Sequence, residues 1–199
     1  LEEKWFISRK FDGIRMFLKY NHLTNSIEVL SRQMKQISGL NSNVLSSLQD
    51  QISQISPKES FILDGELVFT EELTDCENFS KTVSLVKSKD PKPIDGLKYK
   101  VFDCFDSDRF TLIFSERQAR LRELFKTSTN GIFSIVDQKP LSFSEFDSER
   151  LLNQAVEKGY EGFIVRKDSQ LKSGRSRDLL KLKPWLDDEF KVVGHEIGS

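Results

Sequence analysis

The sequence predicts an α+β fold with antiparallel sheets and flanking helices. Three observations carry that expectation. Short apolar runs of strand-like composition recur along the chain, three stretches of helical period interrupt them, and compact polar clusters sit beside the strand-like runs. At 199 residues the chain can form one sizeable domain whose core needs neither disulfide nor structural metal.

Trp5 to Ile7 and Ile14 to Tyr20 read as strands around the Asp12-Gly13 turn, a hairpin by spacing. Ile27 to Leu30 continues the sheet into Ser31-Arg32. From Asn41 to Ile55, Val44, Leu45, Leu48, Ile52 and Ile55 recur as on an amphipathic helix starting near Asn41 or Ser42. Ser60 to Phe69 is strand-like on both sides of Gly65, residues 70–95 resist assignment, and Tyr99 to Phe105 is a further strand. Phe114 to Phe125 and Phe143 to Lys158 have helical period, the second with a Ser144 cap and Asp147 three residues on. Tyr160 to Arg166, Leu179 to Lys183 and Phe190 to Ile197 complete the set of strands.

Hydrophobic residues make up 37% of the chain and charged residues 31%, an ordinary globular balance. Sixteen Phe stand against 3 Tyr and 2 Trp, so most Phe belong to the core and one or two are left to serve a base. Cys76 and Cys104 lack metal-ligand spacing and read as reduced thiols of an intracellular protein. No apolar stretch is long enough to span a membrane, and no signal peptide is visible. A start at Leu1 and an interrupted final strand suggest a piece of a larger chain, whose missing ends could hide targeting signals.

Net charge is −1, which gives no global attraction to nucleic acid. Its distribution is uneven. Between Arg166 and Lys183 stand seven basic residues and two acidic ones, whereas Asp187-Asp188-Glu189 is acidic. A basic patch on a neutral domain suits polyphosphate or a short stretch of nucleic-acid backbone.

Five clusters carry candidate chemistry: Lys10-Phe11-Asp12-Gly13-Ile14-Arg15, Asp64-Gly65-Glu66, Phe102-Asp103, Glu161-Gly162 and Lys181-Leu182-Lys183. A lysine amine attacks well only when it is neutral, so its usual pKa of about 10 must fall or its proton must be taken. Nearby cations such as Arg15, Lys181 and Lys183, or a metal, favour the neutral amine. Asp64 and Glu66 are two apart on a strand and share a face, which is costly unless a cation or sugar hydroxyls lie between them. Glu161 adds a further oxygen ligand for Mg²⁺ or Mn²⁺. Lys181 and Lys183 share a face, with Leu180 and Leu182 expected to anchor the other face in the core. His22 and His195 are isolated and read as surface or structural residues.

The order of these clusters resembles the nucleotidyltransferase domain of the covalent nucleotidyltransferase superfamily: ATP-dependent DNA ligases, RNA ligases and messenger RNA capping enzymes. Lys10-Phe11-Asp12-Gly13-Ile14-Arg15 is similar to the family's Lys-x-Asp-Gly-x-Arg motif. Leu63 to Leu67, Tyr99 to Asp103, Glu161 to Arg166 and Leu180 to Lys183 resemble the motifs that follow, the last continuing through Asp188 and Glu189. The resemblance implies an ATP-grasp-like fold and a lysyl-nucleotide formed at Lys10. It implies that Arg15 and Glu66 engage the ribose, Arg32 a phosphate or the nick, and Phe102 the base. It further implies that Glu161, with Glu66, holds the metal and that Lys181 and Lys183 contact the α-phosphate.

For a DNA ligase the cofactors implied are ATP with Mg²⁺ (or Mn²⁺), and the partner is nicked duplex DNA, in repair, replication or recombination. Residues 1–187 then form the adenylation domain. Residues 188–199 are expected to form a connector and the first strand of a C-terminal OB-fold domain absent from this chain. A monomer is expected, in the nucleus of a eukaryote or otherwise in the cytoplasm. DNA ligase is favoured by Leu63 to Leu67, Phe102-Asp103-Cys104 and the Glu161-Gly162 start. Arg166, where DNA ligases usually carry lysine, leans toward an RNA ligase. A capping guanylyltransferase and an inactive nucleic-acid-binding scaffold are the remaining alternatives. The scaffold is disfavoured because Lys10, Glu161, Lys181 and Lys183 are all present.

Overall fold

The computed structural model describes residues 3–185 apart from 38, 70–74, 89, 91, 107–110, 127–130, 143, 145 and 173, together with 191, 193 and 194. The side chain of Cys76 lies outside this set. So do Asp187-Asp188-Glu189, His195 and most of the strand expected over 190–197, and with them the expected connector.

Strands β1 (Trp5–Lys10) and β2 (Ile14–Asn21) do not form the predicted hairpin. They lie in different sheets, β1 in a four-stranded sheet and β2 in a five-stranded one. Gly13 explains the departure. A Cβ there would stand 2.2 Å from the carbonyl oxygen of Leu67, so the chain presses onto the large sheet instead of folding back on β1. Spacing alone does not distinguish a tight turn from a crossing between sheets.

The large sheet joins β2 to β3 (Ser26–Ser31), β4 (Phe61–Phe69), β5 (Leu97–Phe105) and β6 (Phe133–Ile135). Its pairs are antiparallel except β5 with β6, which run parallel. One face packs Met16, Leu18, Leu63, Leu67, Tyr99 and Val101 against helix α1 (Ser42–Ile55). Val44, Leu48 and Ile52 recur four apart and are fully buried, and Asn41 caps the helix by accepting from the Asn43 amide, as the period predicted. Gly65 is required here, because a Cβ would meet the Tyr99 ring at 2.7 Å. The Tyr99 hydroxyl donates to the Met16 carbonyl, tying β5 across β4 to β2.

Helix α2 (Asp75–Val86) occupies part of the stretch the sequence left unassigned. Helix α3 (Phe114–Leu124) follows its predicted bounds, with the Glu116 carboxylate accepting from the Ile113 amide. In the small sheet, β1 lies between β7 (Lys139–Leu141) and β8 (Gly162–Lys167), and β9 (Leu179–Leu182) pairs on the far side of β8. Helix α4 (Ser148–Glu157) starts later than predicted. Its cap is Asp147, which accepts from the Arg150 amide, while the Ser144 hydroxyl shares a hydrogen bond with that of Ser142.

Among the described residues, Phe61, Phe69, Phe105, Phe114, Phe125, Phe133 and Phe163 are buried, while Phe6, Phe11, Phe17, Phe102 and Phe146 are half-buried and Phe79 is exposed, so more rings than the expected one or two lie outside the core. Among the described residues, no helix is long and apolar enough to cross a membrane.

Candidate active site

The antiparallel register of β1 and β8 sets Lys10 opposite Gly162, so Glu161 arrives beside the lysine at the strand's end. Lys10 Nζ donates to Glu161 Oε2, and Lys183, just past β9, donates to Oε1 of the same carboxylate. Gly162 makes this possible. Its φ is 142°, and a Cβ would lie 2.1 Å from the Leu182 carbonyl oxygen. Burial works against ionisation of Glu161, yet the hydrogen bonds from Lys10 and Lys183 hold its carboxyl below the ordinary range.

Across the cleft, Arg15 and Phe17 of β2 face Glu66 and Asp64 of β4. Arg15 grips Asp64 bidentately, Nε to Oδ1 at 3.0 Å and Nη2 to Oδ2 at 2.7 Å. This is the cation that the shared face of Asp64 and Glu66 required. Burial nevertheless pushes the Asp64 carboxyl up. Glu66 accepts from the Gly13 amide at 3.2 Å, and burial raises its carboxyl to about 7 against the pull of Lys10. Glu161 adds to that rise, and burial followed by Glu161 also raises Asp12.

Lys10, Arg15, Arg32, Glu66, Phe102 and Lys181 line one cavity of about 580 Å³, floored on the small-sheet side by Ile164. Glu161 and Lys183 reach it through Lys10. Burial, and then Lys10, Arg32, Lys183 and Arg15, lower the Lys181 ammonium. That many cations facing one space form a receptor for polyphosphate. A second cavity of about 520 Å³ shares Arg15, Arg32, Arg166 and Lys181 and continues over Lys167, Lys172 and Arg175, the basic run of the sequence.

One expectation needs correction. Leu180 does not anchor β9 in the core, since it is 46% exposed and Leu182 is only half-buried. The strand lies at the sheet edge and holds its lysines by pairing with β8 instead. Asp103, quoted only as the companion of Phe102, is a buried anchor. It accepts from Arg117 Nε at 2.8 Å and from Arg166 Nη1 at 2.6 Å, joining α3 and β8 to β5. His22 agrees with its structural reading: it is exposed, and Nδ1 lies 3.0 Å from the Pro57 carbonyl oxygen.

The sequence missed Asp75. It is buried at the start of α2 and accepts from Arg9 Nη2 and from the Glu161 amide, each at 2.6 Å. Its partners lie 66 and 86 residues away, so no local pattern marks it.

Among the described residues, no group of three or more His, Cys, Asp and Glu is assembled around a metal position. Glu161 and Glu66 are nevertheless hard oxygen donors beside a polyphosphate-sized cavity, and Glu161 raises the cost of negative charge on Glu66 and Asp12. That chemistry fits Mg²⁺ completed by phosphate oxygens.

A family model described as the ATP dependent DNA ligase domain matches residues 1–183. The chain belongs to that family. The ligase-domain match leaves Lys10, Glu161 and Lys183 all inside its span. Among relatives, a DNA ligase of African swine fever virus is 30% identical over 200 residues, covering 97% of this chain and 45% of that protein. A DNA ligase of Methanosphaera stadtmanae is 28% identical over 196 residues, 92% of this chain and 33% of that protein. The chain therefore spans less than half the length of these curated relatives. A Lig E DNA ligase structure superposes with a TM-score of 0.65 at 26% identity, covering 90% of this chain and 62% of that one. The ATP complex of the bacteriophage T7 ATP-dependent DNA ligase shares the fold at TM-score 0.63 and 20% identity, over 91% of this chain and 62% of that one.

Proposed function

We propose that this chain is the adenylating part of an ATP-dependent DNA ligase. The observation that carries the reading is the single carboxylate of Glu161 held between Lys10 and Lys183 beside the cavity that Phe102, Arg15, Glu66 and Lys181 line. Base and ribose would bind on the large-sheet side, with Phe102 stacking on the base and Arg15 and Glu66 beside the sugar. The triphosphate would then run toward Lys181, Lys183 and Arg32.

In the first step Lys10 Nζ bonds to the α-phosphorus of ATP, and the bond from that phosphorus to the bridging oxygen breaks. Pyrophosphate leaves with the electron pair; Lys10 sheds one proton to solvent before it attacks and the second to the departing pyrophosphate. Glu161 divides its oxygens between two ammonium groups, so it orients the nucleophile without committing its full charge to it. Lys181 and Lys183 stabilise the charge that grows on the α-phosphate oxygens. Glu161 and Glu66 would hold Mg²⁺, which neutralises phosphate charge when bound. In the second step an oxygen of a 5′-phosphate at a nick attacks the same phosphorus and Lys10 departs, regaining its proton. In the third the neighbouring 3′-hydroxyl attacks that 5′-phosphate and gives its proton to solvent, AMP leaves with the electron pair of the pyrophosphate bond, and the strand is sealed. The basic trough from Arg32 to Arg175 is suited to the nicked strand.

The test is a pulse and chase with the full-length protein. It is incubated with Mg²⁺ and α-labelled ATP or GTP, then chased with nicked DNA or nicked RNA. Label from ATP that passes to nicked DNA is the expected result. Label from GTP would replace the reading with capping chemistry, and transfer to RNA alone would give Arg166 its RNA-ligase meaning. An unlabelled full-length protein would leave only a scaffold.

A further inference from the structure

Lys10 and Glu161 are 151 residues apart in sequence, and the pair that carries the proposed chemistry depends on two strand ends meeting. What fixes those ends is visible one residue behind each of them. Arg9 directly precedes the nucleophile, and Tyr160 directly precedes Glu161. The Arg9 guanidinium lies 3.7 Å from the centroid of the Tyr160 ring. Asp75 closes the arrangement from a third element. One carboxylate oxygen takes Arg9 Nη2 and the other takes the backbone amide of Glu161, both at 2.6 Å.

Asp75 lines neither the 580 Å³ nor the 520 Å³ cavity, so it has no place against the nucleotide. It is buried, and a carboxylate removed from water persists only where its hydrogen bonds are strong and complete. Its position at the first turn of α2 favours the negative charge further. The helix in turn is fastened to the large sheet, where the Phe69 amide donates to the buried Thr82 hydroxyl at 2.8 Å. Asp75 thus connects the large sheet, through α2, to both ends of the Lys10–Glu161 pair.

We propose that Asp75 is a positioning residue for lysyl-nucleotide formation, a role that rests on the adenylation reading above. It holds the Arg9 side chain and the Glu161 main chain so that the Lys10 amine and the Glu161 carboxylate meet in register. It touches neither ATP nor the reacting atoms. A displacement of about 1 Å at a reacting group can cost on the order of 100-fold in rate. Loss of the clasp should therefore slow the bond-forming step and leave ATP binding nearly intact.

The experiment is single-turnover formation of lysyl-AMP in the full-length protein over a range of ATP, for wild type, Asp75→Ala, Asp75→Asn and Arg9→Ala. Asp75→Ala should lower the rate constant at saturating ATP by about 10- to 100-fold, while the half-saturating ATP moves less than about threefold. Asp75→Asn keeps an acceptor for the Glu161 amide and loses the charge facing Arg9, so it should fall between. Asp75→Ala combined with Arg9→Ala should lose little more than the worse single variant, because both open the same clasp.

Misfolding would shrink the labelled amplitude and leave the rate constant of the folded fraction alone, and if the alanine variant does not fold, the asparagine variant decides. An unchanged rate constant in both Asp75 variants would overturn the proposal. So would a rise confined to the half-saturating ATP, or losses that multiply in the double variant. Amide exchange at Glu161 reads the clasp without ATP, and it should be faster in Asp75→Ala than in wild type. A wild type that takes no label defeats the adenylation reading; a labelled wild type matched in rate by its Asp75 variants defeats only the clasp.

Discussion

Arg15, Glu66 and Phe102 ride on strands whose opposite faces are buried, whereas Lys10, Glu161 and Lys181 sit on or beside strands that contribute nothing to the main apolar core. The large sheet sets Leu63, Leu67 and Tyr99 at no exposure against α1. The small sheet has an exposed Leu180 at its edge, and charged contacts join its functional end to the rest. Asp75 takes Arg9 and Asp103 takes Arg166, while Glu161 ties Lys10 of β1 to Lys183 past β9 within the small sheet. Apolar burial is non-directional and is not screened by salt, while ion pairs are directional and can exchange partners. The half assigned to base and sugar is thus fixed by packing. In the half assigned to phosphate transfer, the Glu161 ion pairs are ones that an incoming polyphosphate can replace, while the buried Asp75 and Asp103 anchors stay in place.

Removing Asp103 should have the largest effect on stability, since it binds the two halves together. Its loss leaves the Arg117 guanidinium buried with 4% side-chain exposure and no carboxylate. Breaking a buried pair in this way costs about 3–5 kcal/mol. Urea unfolding of Asp103→Ala measures it, and a loss below about 1 kcal/mol would mean that packing alone joins the sheets.

The same truncation in each sheet sharpens the contrast. Leu63→Ala should cost about 2–5 kcal/mol, because Leu63 is fully buried behind the sugar-facing strand. Leu180→Ala, at an exposed edge, should stay within about 0.5 kcal/mol. Equal losses would erase the distinction between a packed half and a charge-held half.

Glu66 gives a pH-dependent test. Its folded carboxyl lies at about 7 against an ordinary 4.5, chiefly through burial. The unfolded chain therefore releases this proton first as pH rises, and stability falls from pH 4.5 to 7 by up to roughly 3 kcal/mol, at about 1.4 kcal/mol per unit. Below that window the contribution is fully present. Glu66→Gln should lack this slope in metal-free buffer, so parallel pH profiles of the two proteins would show that Glu66 is hydrated like a surface carboxylate.

Much of this architecture is legible in the residues themselves. Val44, Leu48 and Ile52 announce α1 by their period, and Asp64 and Glu66 announce a shared face by their spacing. Helix α2 is hidden because its buried positions, Asp75, Asn78, Thr82 and Val86, are mostly polar, so the buried face is not the one that Phe79 and Val83 mark. Strands β6 and β7, of three residues each, are too short to show alternation. The crossing at Gly13 looks like a turn until Leu67 is placed against it. Within the site, the ordered motifs locate Lys10, Glu66, Phe102, Glu161 and Lys183. Asp75 and Arg9 escape because their meaning lies in a contact between distant segments.

The most direct test of the central claim is to map the nucleotide on the protein. Full-length protein is incubated with Mg²⁺ and ATP, digested, and each peptide weighed, with Lys10→Ala alongside. An AMP adduct is expected on the peptide containing Lys10, with no adduct anywhere in Lys10→Ala. AMP on another lysine, or an adduct that survives in Lys10→Ala, would contradict the central claim.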